Sequence, residues 1–200
     1  MSAFHTAEIA VAAAQLVAEE GMEYAQAKRK AARSLGRQGR QGELPSNEVV
    51  EDEVRAHIEL FQADTQPAEL AALRGLALSW MLRLAEFRPH LSGAVWRGTA
   101  NRHSSIRLDL YCDDPKSAEI GLINLGLSFD TDTITTRGGD GLNVLSLAAR
   151  CPGLPDPVTL HLIVRDLDDL RGALKPDARG RSWRGDAPAL QRLLLAEPAH

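Results

Sequence analysis

Apolar positions in the first ninety residues recur at helical spacing. Residues 6–35 are Ala-rich, hold good helix formers and lack Pro, with Ile9, Ala13, Leu16, Val17 and Tyr24 at helical spacing. This predicts one long helix that Thr6 caps and that Gly21 can divide. Residues 46–62 predict a second helix, capped by Ser46 or Asn47, with Val50, Val54, His57, Ile58 and Phe61 on its inner face. Residues 67–87 predict a third, with Leu70, Leu73, Leu76, Leu78, Met81 and Leu84 facing inward. Trp80 and Phe87 anchor it, and Pro89 ends it.

Beyond residue 90 the period changes. In residues 105–111, Ile106, Leu108 and Leu110 point one way and Ser105, Arg107, Asp109 and Tyr111 the other, as in a strand with one polar face. A Gly-containing loop, residues 92–100, leads into it. Residues 116–125 predict a short helix after the Asp113-Asp114-Pro115 turn, closed by Gly126. Residues 127–136 and 142–149 predict a hairpin about the Gly-rich turn 137–141, and residues 158–164 a last, most apolar strand after a Pro-rich loop. Asp166 to Leu170 predict a helical turn, and residues 187–195 a final helix capped by Asp186. The fold class is α+β: a three-helix region, 1–88, then a small mixed-sheet domain, 89–200, with a C-terminal helix.

Composition narrows the classes. Two hundred residues, 44% hydrophobic, suffice to bury a real core. A net charge of −4 argues against a dedicated nucleic-acid coat. Cys112 and Cys151 lie far apart without metal spacing and read as reduced thiols. The apolar stretch 7–18 lacks a basic start and contains Glu8 and Gln15, so no signal peptide is read, and no run is long enough to span a bilayer. A soluble, cytoplasmic protein with no membrane partner is expected.

Two basic segments are candidates for phosphate contact. Lys28, Arg29, Lys30, Arg33, Arg37 and Arg40 form either a phosphate- or RNA-facing surface or a solvated helix end. Arg179, Arg181 and Arg184, with Trp183, form either a clamp for phosphate and base or a loop packed back on the sheet. His57 has no second ligand at i+4 and reads as a core-edge histidine.

Residues 92–111 resemble the nucleotidyltransferase superfamily, the fold of DNA polymerase beta and of the minimal nucleotidyltransferases. That family reads G-S-x-x-x-G-x-A and then S-D-I-D-L. Gly93, Arg97, Gly98, Thr99, Ala100, Ser104, Ile106 and Leu108 fall in register without a gap. Ala94 replaces the family's Ser, and Ser105 and Arg107 replace its two metal-binding Asp residues. The likeness is looser over residues 91–166, and nothing before residue 85 takes part. The resemblance implies a third carboxylate within residues 159–164, where His161 stands on an otherwise apolar run.

Two-metal transfer needs carboxylate oxygens around Mg²⁺, and a guanidinium puts fixed positive charge where the dication belongs. The resemblance therefore implies a nucleotidyltransferase-like domain without metal or transfer activity. In it, Gly93, Arg97, Gly98, Thr99, Ser105 and Arg107 bind nucleotide or RNA phosphate, partly through the Gly98 and Thr99 amides. An alternative keeps an active nucleotidyltransferase, with Mg²⁺ ligands relocated around Asp109. The simpler role for Asp109 is an ion pair with Arg107, two positions back. A third expectation makes the N-terminal helices a homodimer or protein-partner surface.

Overall fold

The computed structural model describes residues 3–37, 44–135, 141–176 and 180–196. The chain forms two compact units: residues 1–67 with 99–104, and residues 68–98 with 105–200. The division differs from a boundary at residue 88, because the fourth helix from Ala68 onward goes with the sheet.

The first unit is helical: α1 Ala3–Glu20, α2 Tyr24–Ser34 and α3 Asn47–Phe61. Small side chains let α1 and α2 approach closely, and Ala10, Ala13, Ala27 and Ala31 are fully buried beside Ile9, Val50 and Val54. The run predicted as one helix breaks at Gly21, where φ is +65° and a Cβ would lie 2.0 Å from the His103 carbonyl oxygen. Thr6 accordingly lies inside α1 and does not cap it. Ser46 caps α3 by accepting from the Val49 N–H at 3.3 Å. Phe61, expected on the inner face of α3, is 67% exposed. His57 lies against Phe61, its Nε2 3.5 Å from Glu19.

The basic run at α2 is drawn into local contacts. Lys28 donates to Pro45 O and Asn47, Lys30 pairs with Glu20, and Arg37 reaches His5 O and Glu8. Arg40 lies outside the described residues. Residues 99–104 are stitched into this unit. Asn101 Nδ2 donates to Ala18 O (2.6 Å) and to Gln62 (2.9 Å), and Gln66 Nε2 donates to Ala100 O.

The second unit is α/β. Helix α4, Gln66–Arg83, buries Leu70, Leu73, Ala77 and Met81, and ends in a 3-10 turn, Ala85–Phe87. Next come β1 His90–Ser92, α5 Gly93–Arg97, β2 Ile106–Cys112, α6 Lys116–Asn124, β3 Asp130–Thr135, β4 Gly141–Ala149 and β5 Val158–Asp166. A 3-10 turn, Leu167–Gly172, leads on to β6 Arg184–Gly185 and α7 Ala187–Ala196. The sheet order is β3-β4-β5-β2-β1-β6, with β2 and β5 parallel and the other neighbours antiparallel. One face carries the core, with Leu91, Ile106, Leu108, Leu110, Leu145, Leu160 and Leu162 fully buried.

The stretch expected as a loop, residues 92–100, holds the end of β1 and all of α5. Of the turn expected at residues 137–141, residues 137–140 lie outside the described residues, as does Arg179, and Gly141 opens β4. Among the described residues no helix is long and apolar enough to cross a membrane.

Candidate functional site on the polar face of the sheet

Period two puts Arg107, Asp109 and Tyr111 of β2 on the face opposite the core. Cross-strand register extends that face. His161 of β5 lies beside Arg107, Ser146 of β4 beside His161, and Asp130 of β3 beside Ser146. On the other side Ser92 of β1 pairs with Arg107, and Arg184 of β6 with Ser92. One transverse row thus reads Asp130, Ser146, His161, Arg107, Ser92, Arg184, polar across all six strands.

The next step along the strands is buried. Asp109 is 1% exposed, and its carboxylate accepts from Arg165 Nε at 2.5 Å. Arg184 Nη1 lies 3.4 Å from its other oxygen and donates to Tyr111 Oη at 2.7 Å. The expected pairing of Asp109 with Arg107 gives way to these two guanidiniums, which arrive from β5 and β6. Burial pushes the Tyr111 hydroxyl above its ordinary value, and the charge and hydrogen bond of Arg184 pull it partly back. His90 meets Tyr111 edge-on at 5.2 Å, and its Nδ1 lies 2.9 Å from Arg88 O.

Helix α5 borders this face. Gly93 opens it with φ +72°, and a Cβ there would come within 3.2 Å of Arg107 Cδ, so the Arg107 stem lies against bare backbone. Gly98 closes α5 in the left-handed region, its N–H donated to Ala94 O, so that amide already has an acceptor. Buried Arg74 donates to the carbonyls of Val95 and Trp96.

The tail loop packs back onto α5. The Trp96 indole donates to Ser182 O at 3.0 Å, and its ring covers Gly185, where a Cβ would lie 2.1 Å from the ring. The Arg97 guanidinium stands 4.5 Å over the Trp183 ring.

The six candidate binding residues divide between the two units. Gly93, Arg97, Gly98, Ser105 and Arg107 belong to the sheet unit, with Ser105 just before β2. Thr99 belongs to the helical unit and is buried there. Sequence inspection missed Arg165, Ser146, Ser92 and His90. Arg165 had a signal, since alternation from His161 through Ile163 reaches it. Ser92 and His90 had none, because three residues of β1 show no period.

The donor set suits a metal poorly. Ser105, Arg107 and His161 supply no carboxylate, and a cation at Asp109 would have to displace two arginines. Among the described residues no three His, Cys, Asp or Glu side chains converge. The set suits an anion instead. No protein-family model matches the chain, and no curated protein or solved structure matches it.

Proposed function

We propose that this chain is a nucleotidyltransferase-like module that binds nucleotide or phosphate without metal and does not transfer it, acting as a sensor, scaffold or partner subunit. One observation carries the reading: the polar face sets Arg107 beside His161, one step along β2 from the buried carboxylate Asp109, which Arg165 and Arg184 pair with. Guanidinium forks hold phosphate oxygens bidentately and keep their charge at any physiological pH. The chain order supports the resemblance: a strand, a short helix opened by Gly93, an antiparallel strand at the S-D-I-D-L position, and a parallel neighbour carrying His161.

Calorimetric titration of the full chain with ATP, AMP and a short RNA, in EDTA, tests this. Binding in the micromolar to millimolar range that weakens at least tenfold in Arg107→Ala supports it. No heat with any of these ligands overturns it. Incubation with labelled nucleotide, Mg²⁺ or Mn²⁺ and acceptors tests the loss of transfer. Label transfer abolished by Asp109→Asn would establish an active enzyme instead.

A second reading, a partner surface on the N-terminal helices, has its own observation. Leu60 and Phe61 stand side by side at the end of α3, 74% and 67% exposed. Light scattering that gives a monomer, with pull-downs that recover nothing, removes it.

A further inference from the structure

We propose that Ser146 is a nucleophile, that His161 is its general base, and that the pair cleaves short-chain carboxylic esters through an acyl-serine. This goes beyond the anion-binding reading and does not depend on it. The two residues lie directly opposite each other in the antiparallel register of β4 and β5, in the interior of the sheet. Directly opposed partners bring their Cβ atoms to about 5 Å, close enough for an imidazole and a hydroxyl to bond. That bond is present. His161 Nδ1 lies 2.9 Å from Ser146 Oγ, the separation a base needs from the proton it takes. With the ring proton on Nε2, the hydroxyl donates to Nδ1, and any contact the ring makes through Nε2 orients it further.

The surroundings suit the chemistry. Both side chains are half-buried and stand on nine-residue strands, so the sheet ladder holds their geometry. The next opposed pair on one side, Val144 and Ile163, is apolar and buried. The next on the other side, Ala148 and Thr159, is small and exposed. Ser146 Oγ thus sits where packed apolar residues meet solvent, and a short acyl group can reach it there. In the reaction, Oγ adds to the ester carbonyl carbon as its proton passes to His161 Nδ1. The tetrahedral adduct collapses, the bond to the alcohol oxygen breaks, and Nδ1 returns the proton to that leaving oxygen. Water then follows the same route at the acyl-serine, releases the carboxylic acid and restores the Ser146 hydroxyl.

The test uses the full chain with two probes. p-Nitrophenyl acetate reads turnover by release of p-nitrophenolate. A fluorophosphonate, which a nucleophilic serine attacks with loss of fluoride, traps the adduct for mapping by mass spectrometry. The adduct is expected on Ser146, and both signals should vanish in Ser146→Ala. His161→Gln keeps a hydrogen-bonding side chain but cannot take the proton, and should slow both reactions about a hundredfold. The parent rate should rise with pH along a titration that His161→Gln lacks. Melting curves confirm the fold of each variant. A parent chain that carries no adduct on Ser146 overturns the inference, as does labelling of Ser146 that proceeds equally fast in His161→Gln. A serine and histidine bonded for packing alone give that second result. Binding of AMP, read by calorimetry, is a separate signal and stands or falls without it.

Discussion

Replacing Asp109 by Asn keeps the volume of the side chain and removes its charge. The carboxylate is 1% exposed and faces Arg165 at 2.5 Å and Arg184 at 3.4 Å. An amide offers one oxygen to these two guanidiniums and turns its NH₂ toward the other. Removing one partner of a fully buried ion pair costs about 3–5 kcal/mol. Here both arginine side chains keep 22% exposure, so water relieves part of the loss, and about 2–3 kcal/mol is expected. For a chain of this length that lowers Tm by roughly 5–10 °C.

The same change should strengthen anion binding, because it removes the one buried negative charge on the face. A unit charge roughly 10 Å from the ligand, at an effective dielectric of about 20, contributes roughly 1.5 kcal/mol before salt screening. AMP affinity should therefore rise about three- to tenfold as stability falls. Urea unfolding followed by circular dichroism, with calorimetry on the same samples, reads both. Two compact units permit two unfolding steps, and the loss belongs to the step of the sheet unit. Adding Arg165→Met to Asp109→Asn should return part of the loss, since it removes one of the stranded charges. Stability within about 0.5 kcal/mol of the parent would refute the electrostatic account of Asp109. Weaker AMP binding would refute the assignment of this face as the anion site.

Three further outcomes follow from single contacts. Gly185→Ala drives a methyl into the Trp96 ring and should cost about 1–3 kcal/mol, with a changed near-ultraviolet circular dichroism signal; an unaltered spectrum and melt would contradict that packing. Gly21→Ala adds left-handed strain and a clash with the His103 carbonyl, and should destabilise the helical unit by about 2–3 kcal/mol in thermal melts, whereas Gly36→Ala, with open space around it, should cost only the strain, about 1 kcal/mol. The raised titration of Tyr111 means that above pH 10 the unfolded chain loses its phenolic proton first. Stability should then fall as pH rises from 10 through the folded value; in a Tyr24→Phe background, phenolate absorbance appearing at pH 10 or below would contradict this.

Much of the fold was legible because it rests on near-neighbour physics. Alanine-rich periodicity marks α1 and α2, the Ser46 hydroxyl starts α3, and alternation from Ile106 to Tyr111 marks β2 and its polar face. Gly21 was visible as a weak point; what the sequence could not show is that a carbonyl more than eighty positions later in the chain lies where a Cβ at residue 21 would stand. Strands β1 and β6, three and two residues long, carry no periodic signal; β1 builds on the edge of β2, and β6 on the edge that β1 then offers.

The candidate site shows the same division. Sequence alone determined which residue types stand on the polar face of β2, Arg107, Asp109 and Tyr111, and that His161 interrupts the apolar run 158–164. Only the tertiary structure decided that Thr99 is buried within the helical unit, that Asp109 goes to Arg165 and Arg184 and not to Arg107, and that Ser146 stands behind His161. The reason is physical. Propensity and periodicity act over a few residues and are written in order along the chain, whereas a charge selects whichever partner strand order and register bring within a few ångströms, and neither is encoded locally.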